Sequence, residues 1–135
     1  MNAILGALLL AGQMVDGHVH AAPHGGVIAH AGGHHLETVV DETHIDVWVL
    51  DRNMKPVAPE GHALAATLRF SQPDRAAEGI PFTVEKDHFH APVDLAGLPS
   101  MNVEMRLDAG KKLARAAFRW QSLDARQHLD DSIDL

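Results

Sequence analysis

A chain of 135 residues with 46% hydrophobic composition has the material for one modest core, and a separate catalytic domain beside it does not fit. Its 11 Lys+Arg are scattered and outweighed by 18 Asp+Glu, giving a formal charge of -7, which argues against a nucleic-acid partner. Cysteine is absent, excluding disulfides, thiolate metal sites and a Cys nucleophile, while 11 histidines beside no tyrosine supply the commonest metal-binding side chain in quantity.

The apolar run Ala3 to Ala11 is too short to span a bilayer and matches the hydrophobic region of a secretion signal. The small residue at Ala21 marks a cleavage site before Ala22, and Gly17 marks a poorer one before His18. Residues 1–21 are therefore expected to be a signal peptide. No later stretch reaches membrane length, so no membrane insertion is expected after processing. Cleavage before His18 would begin the mature chain His-Val-His, able to chelate square-planar Cu(II) or Ni(II). Cleavage before Ala22 places Pro23 second, and proline has no amide proton to release.

From Gly25 to Trp120 the pattern is mostly period-two alternation broken by turn residues, predicting an all-β domain over 22–120. Leu36 to Val40 and Ile45 to Leu50 read as partner strands, the second placing Ile45, Val47 and Val49 on one face and ending in a turn-rich segment at Asp51 to Pro56. Leu64, Ala66, Leu68 and Phe70 share a face, and Ser71-Gln72-Pro73-Asp74 closes that run. Ile80, Phe82 and Val84 alternate, as do Phe89, Ala91 and Val93, with a hairpin corner at Lys86-Asp87. Met101, Val103, Met105 and Leu107 form a further one-faced set, and Asp108 to Lys111 turns the chain. Residues 112–120 fit either a strand or a helical stripe through Leu113, Ala116, Ala117, Trp120 and Leu123. Residues 121–135 form an acidic tail, expected to be frayed or weakly helical.

One enzyme motif presents itself and fails on context. Val15-Asp16-Gly17-His18-Val19-His20 resembles the first-strand metal motif of amidohydrolases, whose barrel needs at least about 200 residues. No nucleophile elbow, His-Glu-x-x-His helix or phosphate loop is present, so no enzyme is expected.

The histidines are better read as ligands. His88 and His90 fall on one face of a strand, about 7 Å apart and able to converge on one ion, with Asp87 placed to accept a ring N–H or to bind directly. His24 precedes two glycines that permit close approach by another group. His30, His34 and His35 surround Gly32-Gly33, a tight turn across which His30 and His34 are expected to face each other. His44, His62 and His128 read as solvated surface residues, and Asp46 and Trp48 as outward sheet surface and cross-strand packing. Imidazole with carboxylate suits Zn(II), Cu(II), Ni(II) or Co(II); the core-like spacing of Met101 and Met105 argues against Cu(I).

In chain order, His24-Gly25-Gly26, Leu36-Glu37-Thr38-Val39-Val40, Asp46-Val47-Trp48-Val49-Leu50-Asp51, Lys55-Pro56-Val57, Asp87-His88-Phe89-His90 and Phe118-Arg119-Trp120 carry a resemblance. Their order is similar to the small periplasmic β-domain at the front of adaptor (membrane fusion) subunits of heavy-metal efflux pumps, and to short stand-alone exported relatives. The resemblance implies a β-sandwich-like fold, a periplasmic location, a strand over 112–120, and a link to export or buffering of Zn, Co, Cd, Ni or Cu. The long α-hairpin, lipoyl-like and β-barrel portions of a full adaptor are missing from this chain, which bears on direct pump assembly.

The resulting expectation is a single all-β domain, an Ig-like sandwich or partly open barrel. It would bind a divalent transition ion reversibly through His24, His88 and His90, with His34 and His35 as auxiliary ligands. An efflux-pump component is a candidate partner. The rival expectation is an interaction domain that docks on an envelope protein through sheet edges or surface, without a specific ion. Neutral imidazole is the binding form, so affinity should fall as pH drops through about 6.5.

Overall fold

The computed structural model describes residues 22–110 and 112–123. The expected signal peptide and residues 124–135 of the expected tail lie outside the described residues. The chain runs β1 (Val27–Ala31), β2 (His34–Val40), β3 (His44–Leu50), β4 (Ala63–Phe70), β5 (Glu78–Pro81), β6 (Thr83–Glu85), β7 (His88–Pro92), β8 (Ser100–Ala109) and β9 (Lys112–Gln121). These strands form two antiparallel sheets, ordered β1-β2-β3-β7-β6 and β5-β4-β8-β9, which is the expected all-β sandwich without barrel closure.

The alternation read from the sequence explains why the sheets stack. Ile45, Val47 and Val49 of β3, Leu36 of β2 and Phe89 and Ala91 of β7 share one core with Leu64, Ala66 and Leu68 of β4 and Met101, Val103, Met105 and Leu107 of β8. Burying each large member contributes about 1.5–3 kcal/mol, enough for a core of this size to hold two sheets together. One polar group joins them: Thr38 is buried on the inner face of β2, and its hydroxyl donates to the Met105 sulfur at 3.8 Å.

Three local outcomes differ from, or decide, the expectations. The run Ile80, Phe82, Val84 is not one strand: β5 pairs with β4 in the second sheet, β6 pairs with β7 in the first, and the chain changes sheets at Phe82. The Phe82 amide bonds the Leu64 carbonyl at 3.1 Å and its ring stays in the core, whereas Val84 is 44% exposed. Alternation continues through the crossing, so periodicity alone does not reveal it.

Residues 112–121 are strand. Pairing runs without a break from Ser100↔Gln121 to Ala109↔Lys112, with Gly110 at φ 84° in the turn, and Ala114, Ala116, Phe118 and Trp120 pack on the core. A helical stripe would have buried Leu113 and Leu123, which are exposed; ten cross-strand pairs outweigh the weak helix preference of Ala and Leu. At Gly32-Gly33, with Gly32 at φ 61°, a two-residue turn pairs Ala31 with His34 and therefore His30 with His35, not with His34.

Candidate metal centre

Strand parity puts the core-facing residues of β3 and β7 on one side and His44, Asp46, Trp48, His88 and His90 on the other, outer face of the first sheet. The register pairs Asp46 directly with His90. The Asp46 Oδ1 atom lies 2.7 Å from His90 Nδ1 and 3.2 Å from His88 Nε2. Two residues 42 and 44 positions along the chain are thus gathered on one carboxylate oxygen, because β3 and β7 are sheet neighbours.

The hydrogen inventory of His88 is informative. Its Nδ1 faces Asp87 Oδ1 at 3.0 Å while its Nε2 faces Asp46, so both ring nitrogens look at carboxylate oxygen. A neutral imidazole has one N–H and satisfies only one of these contacts. The other requires either a second proton or a cation on the remaining lone pair. The bond to the His88 ring is the main reason the Asp87 carboxyl titrates below its ordinary value of 3.8. With Asp87 taking the Nδ1 proton, Nε2 is left as the lone-pair nitrogen pointing at Asp46, the arrangement in which an outer carboxylate orients a metal-binding imidazole.

The donor atoms of Asp46, His88 and His90 all lie within 4.8 Å of one another. An ion bound to each at about 2.0–2.1 Å holds neighbouring donors roughly 3.3 Å apart at tetrahedral angles. The Asp46–His88 pair, at 3.2 Å, already has about that spacing, and the Asp46–His90 pair, at 2.7 Å, reaches it by opening about 0.6 Å. The donor set is two nitrogens and one oxygen, suited to borderline divalent ions.

Beside this trio stands an aromatic column. Trp48 stacks on His88 at 4.5 Å between ring centroids and on His24 at 3.8 Å. His24 comes from the segment before β1 and is held by Glu37 of β2. The Glu37 carboxylate is fully buried and accepts the His24 amide at 2.6 Å, the Gly26 amide at 3.0 Å and the His24 Nδ1 proton at 2.8 Å. Both oxygens act as acceptors, the pattern of an ionised carboxylate. Gly26 is needed here: a Cβ on it would lie 2.4 Å from the Thr38 carbonyl oxygen, so no larger residue lets the turn approach β2 this closely.

Of the histidines singled out from the sequence, His88 and His90 come together as the i, i+2 reading expects, and Asp87 takes the ring contact expected of it. His24 does not join their donor group. It is stacked on Trp48, with its Nδ1 committed to Glu37. His34 and His35 stand at the far end of β2. His35 pairs with Leu50, four residues along β3 from Asp46 and thus about 13 Å away. Its Nδ1 donates to the Asp51 carbonyl at 3.0 Å, and its ring lies 4.4 Å from that of His30. His34 meets His62 edge-on at 6.0 Å.

Sequence reasoning missed Asp46: read as sheet surface, it is the carboxylate of the group. His44, read as a solvated residue, is about one-third exposed and places Nε2 3.3 Å from Asp46 Oδ2, outside that group. The available signal was the His44-x-Asp46-x-Trp48 alternation, which puts three chemistry-bearing side chains on the face opposite Ile45 and Val47. No family model, no curated protein and no solved structure matches this chain.

Proposed function

We propose that the protein is an exported module that binds a divalent transition ion, Zn(II), Cu(II), Ni(II) or Co(II), reversibly through Asp46, His88 and His90, without catalysis. The observation that carries this reading is the single Asp46 oxygen with two imidazole nitrogens at 2.7 and 3.2 Å, one of them on a ring whose other nitrogen is already taken by Asp87. A bound cation removes the mismatch between two acceptors and one imidazole proton at His88. The site is half-buried on an open sheet face, which suits loading and release more than permanent retention. With the resemblance to efflux-adaptor β-domains, the role that follows is buffering or delivery of a heavy-metal ion in the periplasm.

Isothermal titration of the wild type and of a His88→Ala/His90→Ala variant with each ion, at about pH 7.5 and about pH 5.5, brackets the ordinary histidine pKa of about 6.5. Binding at the higher pH, weakened at the lower because protons compete for the imidazoles, and lost in the variant, is the expected result. Equal heats from both proteins reject the reading and leave a β-domain whose role is contact with another protein. Mass spectrometry of the N-terminus of protein recovered from the cell envelope tests export.

A further inference from the structure

We propose that His44 is a third imidazole ligand of this site, so that the donor set is three nitrogens and one carboxylate, and that Cu(II) is the ion it holds most tightly. The proposal rests on the metal-binding reading above and specifies its ligands and cargo. It starts from the way two neighbouring strands supply the outer face: β3 contributes His44 and Asp46 two residues apart, and β7 contributes His88 and His90 two residues apart. Asp46 stands among all three imidazoles. One oxygen faces His88 and His90, while the other faces His44 Nε2 at 3.3 Å, so His44 stands outside the group of donors within 4.8 Å of one another and joins it by turning its ring toward the ion. The His44 and His90 rings are 5.2 Å apart and inclined by 35°, neighbours on the same patch of sheet.

The far nitrogen of His44 is also held. Its Nδ1 lies 2.9 Å from the Thr43 hydroxyl, just as the His88 Nδ1 lies 3.0 Å from Asp87. The Asp87 carboxylate only accepts and so holds the proton on His88 Nδ1, whereas the Thr43 hydroxyl can accept from His44 Nδ1 or donate to it; in both residues Nε2 is the atom turned toward Asp46. Two imidazoles that each anchor Nδ1 on a neighbouring side chain and aim Nε2 at one carboxylate bring their free ends to a common patch, which is what sharing an ion needs.

The ion class follows from donor type and from the openness of the face. The site contains no sulfur, the buried Met101 and Met105 side chains being in the core between the sheets. His44 and His90 are about one-third and one-quarter exposed, so their side chains can turn to the geometry an ion prefers. Where the protein does not impose geometry, nitrogen and oxygen donors bind divalent ions in their intrinsic order, with Cu(II) at its top and above Zn(II).

The test is Cu(II) titration of the full chain, with pulsed electron paramagnetic resonance to count coordinated imidazoles. An Asp46→Asn/His88→Ala/His90→Ala variant supplies the baseline from histidines elsewhere. Above that baseline the wild type should show three imidazoles; His44→Ala and His44→Gln should show two and bind at least about tenfold more weakly. An unchanged β-sheet circular dichroism spectrum excludes misfolding as the cause. A wild-type signal no different from the baseline overturns the metal-binding reading and this proposal together. Two imidazoles in the wild type, unaltered by either His44 substitution, overturn the ligand assignment alone. Displacement of Cu(II) by an equal amount of Zn(II) overturns the preference for copper.

Discussion

Replacing Glu37 with alanine removes the acceptor for three N–H groups at once, and the cost can be worked from their surroundings. The two backbone donors, His24 and Gly26, bond one carboxylate oxygen of a side chain with no solvent exposure. Hydrogen bonds to a charged partner contribute about 1.5–3 kcal/mol each, so these two contribute about 3–6 kcal/mol. The bond from the His24 ring is left out of this sum, because that ring is 37% exposed and water can replace the carboxylate. Part of the loss is recovered when the freed turn swings outward and its amides reach water, so a net loss of about 2–4 kcal/mol is expected for Glu37→Ala. For a domain near 100 residues this lowers the melting temperature by at least about 8 °C, measurable by circular dichroism. Glu37→Gln probes the same contact differently. The amide oxygen is claimed by the two backbone donors, which turns its NH2 toward His24 Nδ1 and forces the imidazole proton onto Nε2. Nitrogen-15 chemical shifts of His24 report that tautomer. A melting temperature within about 3 °C of wild type for Glu37→Ala, with the same His24 tautomer in Glu37→Gln, refutes the argument.

The glycines of the same turn separate backbone freedom from close approach. Gly25→Ala meets no atom within 4 Å but must hold φ near 74°, costing about 1–2 kcal/mol. Gly26→Ala drives a Cβ into the Thr38 carbonyl and should cost about 1–3 kcal/mol. Only Gly26→Ala should also abolish the ring-current shifts that Trp48 imposes on His24 in proton NMR. Phe89, 1% exposed between the sheets, should cost about 3–5 kcal/mol when truncated to alanine, read by urea denaturation. The Asp51 carboxyl lies below its ordinary 3.8, chiefly because it accepts the Lys55 amide, with the Asn53 amide adding to the effect. Its contribution to stability is therefore fully present above 3.8 and disappears as pH falls through the depressed value. Asp51→Ala should flatten that part of the acid limb of the stability curve, and an acid limb identical to wild type counts against the turn contacts.

Strand parity made much of this fold legible. Ile45, Val47 and Val49, or Met101, Val103, Met105 and Leu107, announce their inner face because a half-buried strand has a period of two. The same rule brought His88 and His90 to one side. It could not bring Asp46 to them, since that depends on β3 and β7 being neighbours in the Asp46↔His90 register, a property of topology rather than of either segment. Glu37 shows a second limit. Alternation places it outward, as the structure does, yet it is fully buried because the segment carrying His24 to Gly26 folds over it. The Gly32-Gly33 turn was visible in the sequence, but the choice of His35 over His34 as the partner of His30 follows from a loop of exactly two residues.

The change of sheets at Phe82 bears on how this molecule meets its surroundings. Where a single residue carries the chain from one layer to the other, the flank of the sandwich ends in strands of four residues (β5) and three residues (β6), too brief to template a long intermolecular ladder. On the opposite flank the β1–β2 turn lies against β9, where a Cβ on Gly32 would sit 3.2 Å from that of Ala114. Self-association by strand addition is thereby discouraged on the flank formed by β5 and β6.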